Sequence, residues 1–265
     1  MITLTGIFIY PVKSARGIAL PEARLSDRGI QHDRRFLIVD ENGRFQTQRE
    51  DPSMARLHTA LVGDSLVLTF DGRSLELPLQ PALGDTRSVR VFADQIEGAL
   101  ELPLAASFLS DAFGRELSLV YMPDGVRRQV DPKRAGPNDL VGFADGFPYL
   151  LCSESSLEAL NVHLSNPVTM RRFRPNFVIE GANAYAEDKF RALRLGSVPF
   201  LALKPCSRCV IVDTDPDLGV RSPGPLAALA HTHTMEKRAI FGQNLVARGS
   251  GVVRLGDEVS ISPHD

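Results

Sequence analysis

The amino-acid sequence predicts a mainly β protein of the α+β class, with a barrel or mixed architecture and only a few helices. Short runs rich in β-branched and aromatic residues recur between turn residues throughout the chain. Only two segments show a convincing helical spacing of apolar residues. Strands and helices do not alternate regularly, and no Gly-x-Gly-x-x-Gly or P-loop pattern is present. A Rossmann fold is therefore disfavoured.

The first half of the chain is predicted to consist mostly of strands, followed by one helix. Asp71-Gly72 lies between two of these strands and indicates a hairpin, because both residues tolerate positive φ. Apolar residues on one face predict a helix over residues 102–113, with Gly114 as its C-cap. The predicted strands occupy residues 4–10, 35–40, 66–70, 74–79 and 88–92.

A domain junction is predicted near residue 120, dividing the chain into residues 1–120 and 121–265. Residues 124–148 contain many Pro, Gly and basic residues and are predicted as a loop. The capping-box spacing of Ser155 and Glu158 predicts the start of a second helix. The predicted strands of this half occupy residues 177–179, 199–203, 210–212 and 258–262.

Composition restricts the classes of partner and compartment. A net charge of −2 over 265 residues gives no global attraction to nucleic acid or to an anionic membrane. The three cysteines do not form a secreted disulfide framework and suit a reducing environment. Neither a signal peptide nor an apolar run long enough to span a bilayer is evident. We therefore expect a soluble, cytoplasmic protein that binds neither nucleic acid nor membrane.

The spacing Cys206-x-x-Cys209 is compatible with several chemistries. A zinc site needs two more ligands, and His231 and His233 are the candidates, although a His-x-His spacing is unusual for zinc. A thioredoxin-like redox pair should open a helix, whereas residues 210–212 are predicted as a strand. Two buried structural thiols are a further interpretation.

The residues around the cysteines favour a thiolate. Lys204 and Arg208 are nearby cations, and cations stabilise the form of the thiol that binds soft metals. The following segment, residues 213–219, does not match a calcium loop, because it lacks the Gly and Glu that an EF-hand needs. We predict an Asp-Pro-Asp turn there, with Gly219 at positive φ.

Residues 204–209, followed by residues 215–219, resemble the core signature of MOSC domains. Further motifs of this family occur in order along nearly the whole chain. They are Tyr10–Ser14, Asp33–Phe36, Phe143–Pro148, Phe173–Asn176 and Phe241–Asn244. The chain is similar to the MOSC proteins that include the mitochondrial amidoxime-reducing component and bacterial proteins that detoxify hydroxylaminopurine. The resemblance implies an N-terminal MOSC β-barrel domain, followed by a MOSC β-barrel domain with a few helices.

The resemblance also implies a molybdenum cofactor, Mo-molybdopterin, whose metal is bound by Cys209, while Cys206 has no such role. Gly146 and Phe147 stand where relatives use Thr and Ser, so only their backbone could contact the cofactor. Asn244 stands where relatives have a cofactor-contacting Tyr. The other implied cofactor-binding residues are Lys13, Ser14, Arg35, Arg174, Asn176 and Ser207. Arginine suits the cofactor's phosphate, since a guanidinium group offers two parallel donors.

Arg171, Arg172 and Arg174 form a basic cluster within four residues of a nearly neutral chain. Such a cluster is either a local anion site or a solvated basic edge.

The activity implied by the resemblance is that of an oxidoreductase. It would remove oxygen from N-hydroxylated substrates, namely hydroxylamines, amidoximes and hydroxylated nucleobases, releasing amine and water. Because the sequence contains no electron source of its own, we expect a separate electron-donor protein, a ferredoxin or a flavoprotein. Asp145, Asp213 and His233 are candidates for the proton donor.

Two other functions stay open at this point. The first is a module that carries the molybdenum cofactor or transfers sulfur to it, without turnover. Cofactor sulfurases join a MOSC domain to a long pyridoxal-phosphate region, which is not recognised in this sequence, so we expect no pyridoxal phosphate. The second is a zinc-stabilised structural protein.

Overall fold

The computed structural model describes residues 1–82 and 84–262, and these residues form mostly strands. The predicted mainly β class is therefore confirmed. The strands of the first half are β1 (Ile2–Ile9), β2 (Ile18–Ala19), β3 (Glu22–Ser26), β4 (Gly29–Ile30), β5 (Phe36–Val39), β6 (His58–Val62), β7 (Ser65–Phe70), β8 (Arg73–Pro78), β9 (Thr86–Val91), β10 (Asp94–Glu101) and β11 (Ser118–Tyr121). Those of the second half are β12 (Tyr149–Ser153), β13 (Phe177–Glu180), β14 (Ala192–Leu195), β15 (Val198–Ser207), β16 (Thr234–Met235), β17 (Arg238–Ala247), β18 (Val252–Arg254) and β19 (Glu258–Ile261).

Helices are few and short. The α-helices are α1 (Leu104–Phe113), α2 (Glu154–Asn161) and α3 (Pro225–Thr232). Short 3₁₀ segments occupy Pro52–Arg56, Met170–Phe173, Ala186–Lys189 and Val210–Asp213. None of the helices in the described ranges is long and apolar enough to cross a bilayer.

Strands from both halves of the chain close a barrel. Its order is β12-β13-β1-β19-β14-β15-β17, and β17 pairs back to β12. Only β12 and β13 run parallel. Strand β1 lies between β13 and β19, so the first strand of the chain belongs to a barrel built mainly from the second half. The division of the chain near residue 120 stays a prediction.

The first half has its own sheets and core. Strands β5, β11, β10 and β9 form one antiparallel sheet, and β6, β7 and β8 form another. The predicted hairpin is confirmed, since Asp71 and Gly72 connect β7 to β8 with φ of 47° and 79°. Helix α1 ends as predicted, at Gly114 with φ of 67°. Buried leucines and aromatic side chains of these elements form one apolar cluster, which holds this half together.

Two local predictions in the second half need correction, and one helix there was not predicted. Residues 210–212 are not a strand but part of a 3₁₀ helix, in which the Val212 amide donates to the Cys209 carbonyl at 3.1 Å. Helix α2 begins after Ser153, so Ser155 lies inside the helix and forms no capping box. Helix α3, which has a proline in its first turn, was not predicted. Short apolar runs do not distinguish strand from helix by periodicity alone.

Candidate active site

A cavity of about 440 Å³ gathers nearly all of the predicted site residues. We call it the cysteine cavity, because both Cys206 and Cys209 line it. Of the ten predicted residues, all except Arg35 line this cavity. They are Lys13, Ser14, Gly146, Phe147, Arg174, Asn176, Ser207, Cys209 and Asn244.

The cysteines lie at the end of strand β15. The pairing of β15 with β17 is interrupted twice, between Ala202 and Lys204 and between Pro205 and Ser207. Such irregularities bend a strand and redirect its side chains. Beyond β15 the chain turns into the 3₁₀ helix whose N-cap is Cys209. The sulfur of Cys209 is thereby presented to the cavity at the rim of the barrel.

The loop of residues 124–148, which has no helix or strand as predicted, is held by a buried arginine. The Arg128 guanidinium donates to the carbonyls of Gly142 at 2.8 Å and Ala144 at 2.5 Å. It also donates to the carboxylate of Asp94 at 2.8 Å. These bonds fix the backbone that carries Asp145, Gly146 and Phe147 to the cavity.

Positive charge dominates the cavity wall. Its cations are Lys13, Arg34, Arg49, Arg174, Lys204 and Arg208. Against these six cations stands one carboxylate, that of Asp145. Arg34 and Arg49 were missed by the sequence analysis. Arg34 belongs to the family motif Asp33–Phe36, in which the resemblance points to its neighbour Arg35, and Arg49 carries no recognisable sequence signal.

Lys13, Asp145 and Arg49 form a charged chain along one side of the cavity. Lys13 donates to Asp145, and Arg49 contacts the other carboxylate oxygen at 2.6 Å. Burial lowers the pKa of Lys13 to about 8, although Asp145 acts in the opposite direction. Desolvation would raise the pKa of Asp145, but the charges of Lys13 and Arg49 outweigh it and hold that pKa well below its usual range. Asp145 is therefore ionised at neutral pH.

A buried carboxylate organises the opposite side. Asp33 accepts hydrogen bonds from the Tyr10 amide at 2.7 Å, from Arg34 at 2.6 Å and from Asn176 at 3.1 Å. The guanidinium groups of Arg34 and Arg174 both lie over the Tyr10 ring, at 4.1 and 4.2 Å from its centroid. Burial is the main reason that the pKa of Arg174 falls to about 10, which leaves this arginine charged at neutral pH. The network fixes two cations in the cavity wall.

The side-chain amide of Asn176 is fully used by protein groups. Its oxygen accepts from Arg34 at 3.1 Å and from the Leu150 amide at 3.2 Å. Its nitrogen donates to Asp33 and to the Phe8 carbonyl, each at 3.1 Å. Asn176 lines the cavity, but its bonds make it a positioning residue.

Among the predicted site residues, Arg35 lies outside the lining of the cysteine cavity. Its guanidinium donates to the Met122 carbonyl at 3.0 Å and pairs with Asp124 at 2.7 Å, so it points away from the cavity. Arg34 takes its place in the wall and has a left-handed backbone with φ of 48°. Both arginines precede strand β5, and separate partners, Asp33 for Arg34 and the Met122 carbonyl for Arg35, hold only the Arg34 guanidinium in the cavity wall.

The alternative metal chemistries find no support in the described residues. His233 contacts Asp188 at 2.7 Å and stacks on Tyr185 rather than on the cysteines. No group of three or more His, Cys, Asp or Glu side chains in these residues is arranged to hold a metal. The predicted turn at Asp215 is confirmed, because the Gly219 amide donates to the Asp215 carbonyl at 2.9 Å and Gly219 has φ of 64°.

The three candidate proton donors are placed differently from what was expected. Asp145 lines the cavity but is ionised. Asp213 lies outside the cavity and accepts from the Leu226 amide at 3.0 Å, at the start of helix α3. His233 also lies outside. None of the three is therefore suited to give a proton to a ligand in the cavity.

Two buried nitrogen donors in the cavity wall have no acceptor among residues 1–82 and 84–262. They are Nη1 of Arg49 and Nε of Arg208. The rest of the Arg208 guanidinium is occupied, with Nη1 donating to the Cys206 sulfur at 2.9 Å. Burial would lower the pKa of Arg49, but Asp145 and the nearby Cys209 raise it. Unpaired buried donors next to an excess of positive charge suit an anionic ligand, and the thiol of Cys209 suits a soft metal.

Comparison with known proteins gives matches over both halves of the chain. Residues 1–116 match the MOSC N-terminal beta barrel domain, and residues 125–260 match the MOSC domain. The human mitochondrial amidoxime-reducing component 1 is 31% identical over 276 residues, covering 97% of this chain and 82% of that protein. A molybdenum cofactor sulfurase from Oryza sativa subsp. japonica is 30% identical, covering 91% of this chain and 32% of that protein.

Among solved structures, the YUAD protein from Bacillus subtilis aligns over 98% of this chain and 94% of its own. The identity is 12% and the TM-score is 0.44.

Proposed function

The chain belongs to the family of MOSC domain proteins, and we propose that it binds a molybdenum cofactor through Cys209 and reduces N-hydroxylated compounds. The observation that carries this proposal is the cysteine cavity, where a thiol, six cations and two unpaired buried donors meet. The relatives named as amidoxime-reducing components support a molybdenum-dependent reductase. Hydroxylamines, amidoximes and hydroxylated nucleobases are the proposed substrates.

The residues of the cavity fit this cofactor. Molybdopterin carries an anionic phosphate and two sulfur ligands, and the excess of cations in the wall would compensate these charges. Lys13, Arg34 and Arg174 would hold the anionic groups, since each is buried or half-buried and lines the cavity. Ser207, Asn244 and the backbone of Gly146 and Phe147 would complete the contacts. This assignment replaces Arg35 with Arg34.

Cys209 would serve as the metal ligand, because a thiolate is the protein group that soft metal centres prefer. Arg49 lies near this sulfur and lines the same cavity. When bound, the cofactor supplies the two-electron chemistry that removes the hydroxyl oxygen of the substrate as water. The reduction consumes two electrons and two protons, and the protein contributes a fixed ligand, charge compensation and one of these protons, the other coming from solvent. Lys13, with a pKa of about 8, lines the cavity and can give up a proton near neutral pH.

Electrons would have to reach the cavity from another protein. The chain has three cysteines, fewer than the four that hold an ordinary iron–sulfur cluster. We propose a ferredoxin or flavoprotein as the donor. Recovery of such a protein with the tagged chain from native lysate, and electron transfer from it in a purified system, would support this arrangement.

The decisive experiment combines metal analysis with turnover. Protein made in a host that synthesises the cofactor should contain molybdenum and should convert benzamidoxime to benzamidine with a chemical reductant. Cys209→Ser should lose the molybdenum, whereas Cys206→Ser should keep it, and this pair provides a matched control. Full molybdenum occupancy without turnover of any N-hydroxylated compound would refute the reductase. Equal molybdenum loss in both variants would refute the specific role of Cys209.

The similarity to a cofactor sulfurase favours one alternative, a module that carries the cofactor or transfers sulfur to it. A carrier should pass its molybdopterin quickly to an apo-enzyme and should not turn over amidoximes. A reductase should release the cofactor slowly during many turnovers. Mixing the loaded protein with a molybdenum-free acceptor enzyme separates the two functions.

A further inference from the structure

A second cavity, of about 210 Å³, adjoins the cysteine cavity. The two cavities share Arg174 and Ile211 as wall residues. We call the second one the arginine cavity, because Arg16, Arg171 and Arg172 line it together with Arg174. The basic cluster of Arg171, Arg172 and Arg174 is therefore more than a solvent-exposed edge. It forms part of the wall of a cavity.

The carboxylates near the arginine cavity do not neutralise it. Arg16 and Arg171 share a single carboxylate, that of Asp217. Arg172 pairs with Asp215 at 3.2 Å. Arg174 forms no ion pair with any described residue and donates instead to the Ala15 carbonyl at 2.8 Å. Four cations thus meet two carboxylates, and the excess positive charge favours an anion.

Two buried polar groups in the same wall have no partner. Nη1 of Arg172 and Oγ1 of Thr214 make no hydrogen bond within the described residues. Arg172 is 9% exposed and Thr214 is 2% exposed, so bulk water does not readily satisfy them. Native proteins leave few such groups unpaired, and those that occur call for a ligand or an ordered water. A guanidinium donor and a hydroxyl beside further arginines suit phosphate oxygens.

We propose that the arginine cavity binds a phosphate group, and that this group is the 5′-phosphate of a nucleotide whose N-hydroxylated base enters the cysteine cavity. The assignment of the base rests on the proposed reductase function, while phosphate binding does not. Arg174 and Ile211 line both cavities, so the two cavities are adjacent, and the proposal requires the nucleotide to pass beside these two side chains. The preferred substrates are then nucleotides rather than free bases or nucleosides.

Binding is tested first, without turnover. Cytidine 5′-monophosphate, cytidine and inorganic phosphate are titrated by calorimetry into molybdenum-loaded and molybdenum-free protein. Thr214→Val is the main variant, because the Thr214 hydroxyl makes no hydrogen bond to any described residue whose loss would unfold the chain. Arg171→Gln is a second variant, at a half-buried position. Arg254→Gln is the matched control, since Arg254 is an exposed arginine that also pairs with one carboxylate, that of Glu22.

We expect the monophosphate to bind the loaded protein at least about tenfold more tightly than cytidine, as charge-assisted hydrogen bonds imply. Thr214→Val and Arg171→Gln should each weaken the monophosphate several-fold, and Arg254→Gln should not. Equal affinity for cytidine and its monophosphate would overturn the proposal. If the monophosphate binds only to molybdenum-free protein, the proposal is also overturned. The arginine cavity would then be the site that holds the cofactor's own phosphate.

Turnover is tested second, with N-hydroxycytidine and its 5′-monophosphate as substrates of the loaded protein. The KM of the 5′-monophosphate should be at least about tenfold lower than the KM of N-hydroxycytidine. Thr214→Val should bring the two KM values closer together. Equal KM values would overturn the nucleotide assignment while leaving the reductase in place. If neither compound nor benzamidoxime is reduced at full molybdenum occupancy, the reductase itself fails. The calorimetry still decides in that case whether the cavity binds phosphate.

Discussion

Replacing Glu187 with glutamine should stabilise the protein above neutral pH and leave its stability unchanged in mild acid. Glu187 is fully buried within the 3₁₀ segment Ala186–Lys189. The Ser156 hydroxyl donates to one of its carboxylate oxygens at 2.9 Å, and the other oxygen has no partner in the part of the chain that the structure describes. Burial raises the pKa of Glu187 from 4.5 to about 7, against the opposing hydrogen bond from Ser156. The folded protein therefore prefers the protonated side chain.

The size of the effect follows from the two pKa values. Between pH 4.5 and about 7 the unfolded chain has released this proton while the folded protein still holds it. Stability therefore falls as pH rises through this window. A pKa difference of about 2.5 corresponds to roughly 3 kcal/mol. Glutamine mimics the protonated form at every pH, so Glu187→Gln should recover about 3 kcal/mol at pH 8 and almost nothing near pH 4.

Urea unfolding followed by circular dichroism measures this difference directly. The chain has no tryptophan, so tryptophan fluorescence is not an option. Glu116→Gln supplies the control, because it makes the same chemical change at an exposed position. Asp188, whose pKa is also raised by burial, is present in every protein compared, and its contribution largely cancels. A difference between Glu187→Gln and the parent that stays constant from pH 4 to 8, or falls below about 1 kcal/mol at pH 8, would refute the reasoning.

Three further predictions concern the cavity and the barrel. Arg34→Met should lose most of its molybdenum, whereas Arg35→Met should keep it in the folded fraction, as metal analysis of matched preparations can show. Cofactor retention, measured by dilution, should weaken roughly tenfold as pH rises through about 8, because Lys13 then loses its charge. In Lys13→Arg the side chain stays charged, so this pH dependence should disappear. Gly242→Ala should destabilise the protein by at least about 2 kcal/mol in urea. Gly242 has φ of 79°, and a Cβ there would lie 2.6 Å from the Cys152 sulfur.

The sequence predicted turns and helix ends correctly where the residues themselves determine the backbone conformation. Asp71-Gly72 forms the predicted hairpin turn because two consecutive positive φ values are required there. Gly114 ends helix α1 for a similar reason. The family motifs are spread over more than two hundred residues of sequence. They nevertheless pointed to Lys13, Arg174 and Cys209, which all line one cavity. The resemblance to the family supplied this grouping, because the contacts that hold these residues are long-range, such as those of Lys13 with Asp145 and of Arg174 with the Ala15 carbonyl.

The features that were missed depend on contacts between distant segments. The direction of Arg35 is set by the Met122 carbonyl and Asp124, which lie nearly ninety residues away in the sequence. Strand β1 joins the barrel through pairing with β13 and β19, and no local pattern indicates this register. Residues 210–212 read as a strand because of three apolar side chains, but hydrogen bonds inside the segment close a 3₁₀ turn.

The cysteine cavity concentrates features that cost folding free energy. Ser14, Arg34 and Arg174 line it with left-handed backbones, at φ of 69°, 48° and 55°. Non-glycine residues in such conformations each cost about 1–3 kcal/mol, and they persist only where their surroundings enforce them. Hydrogen bonds hold two of these residues in place. The Gln48 side-chain amide donates to the Ser14 carbonyl at 2.6 Å, and Arg34 donates to the buried Asp33. Buried donors without a partner among the described residues and an excess of positive charge at one place suit an anionic ligand, and packing alone would not select them at a strained backbone.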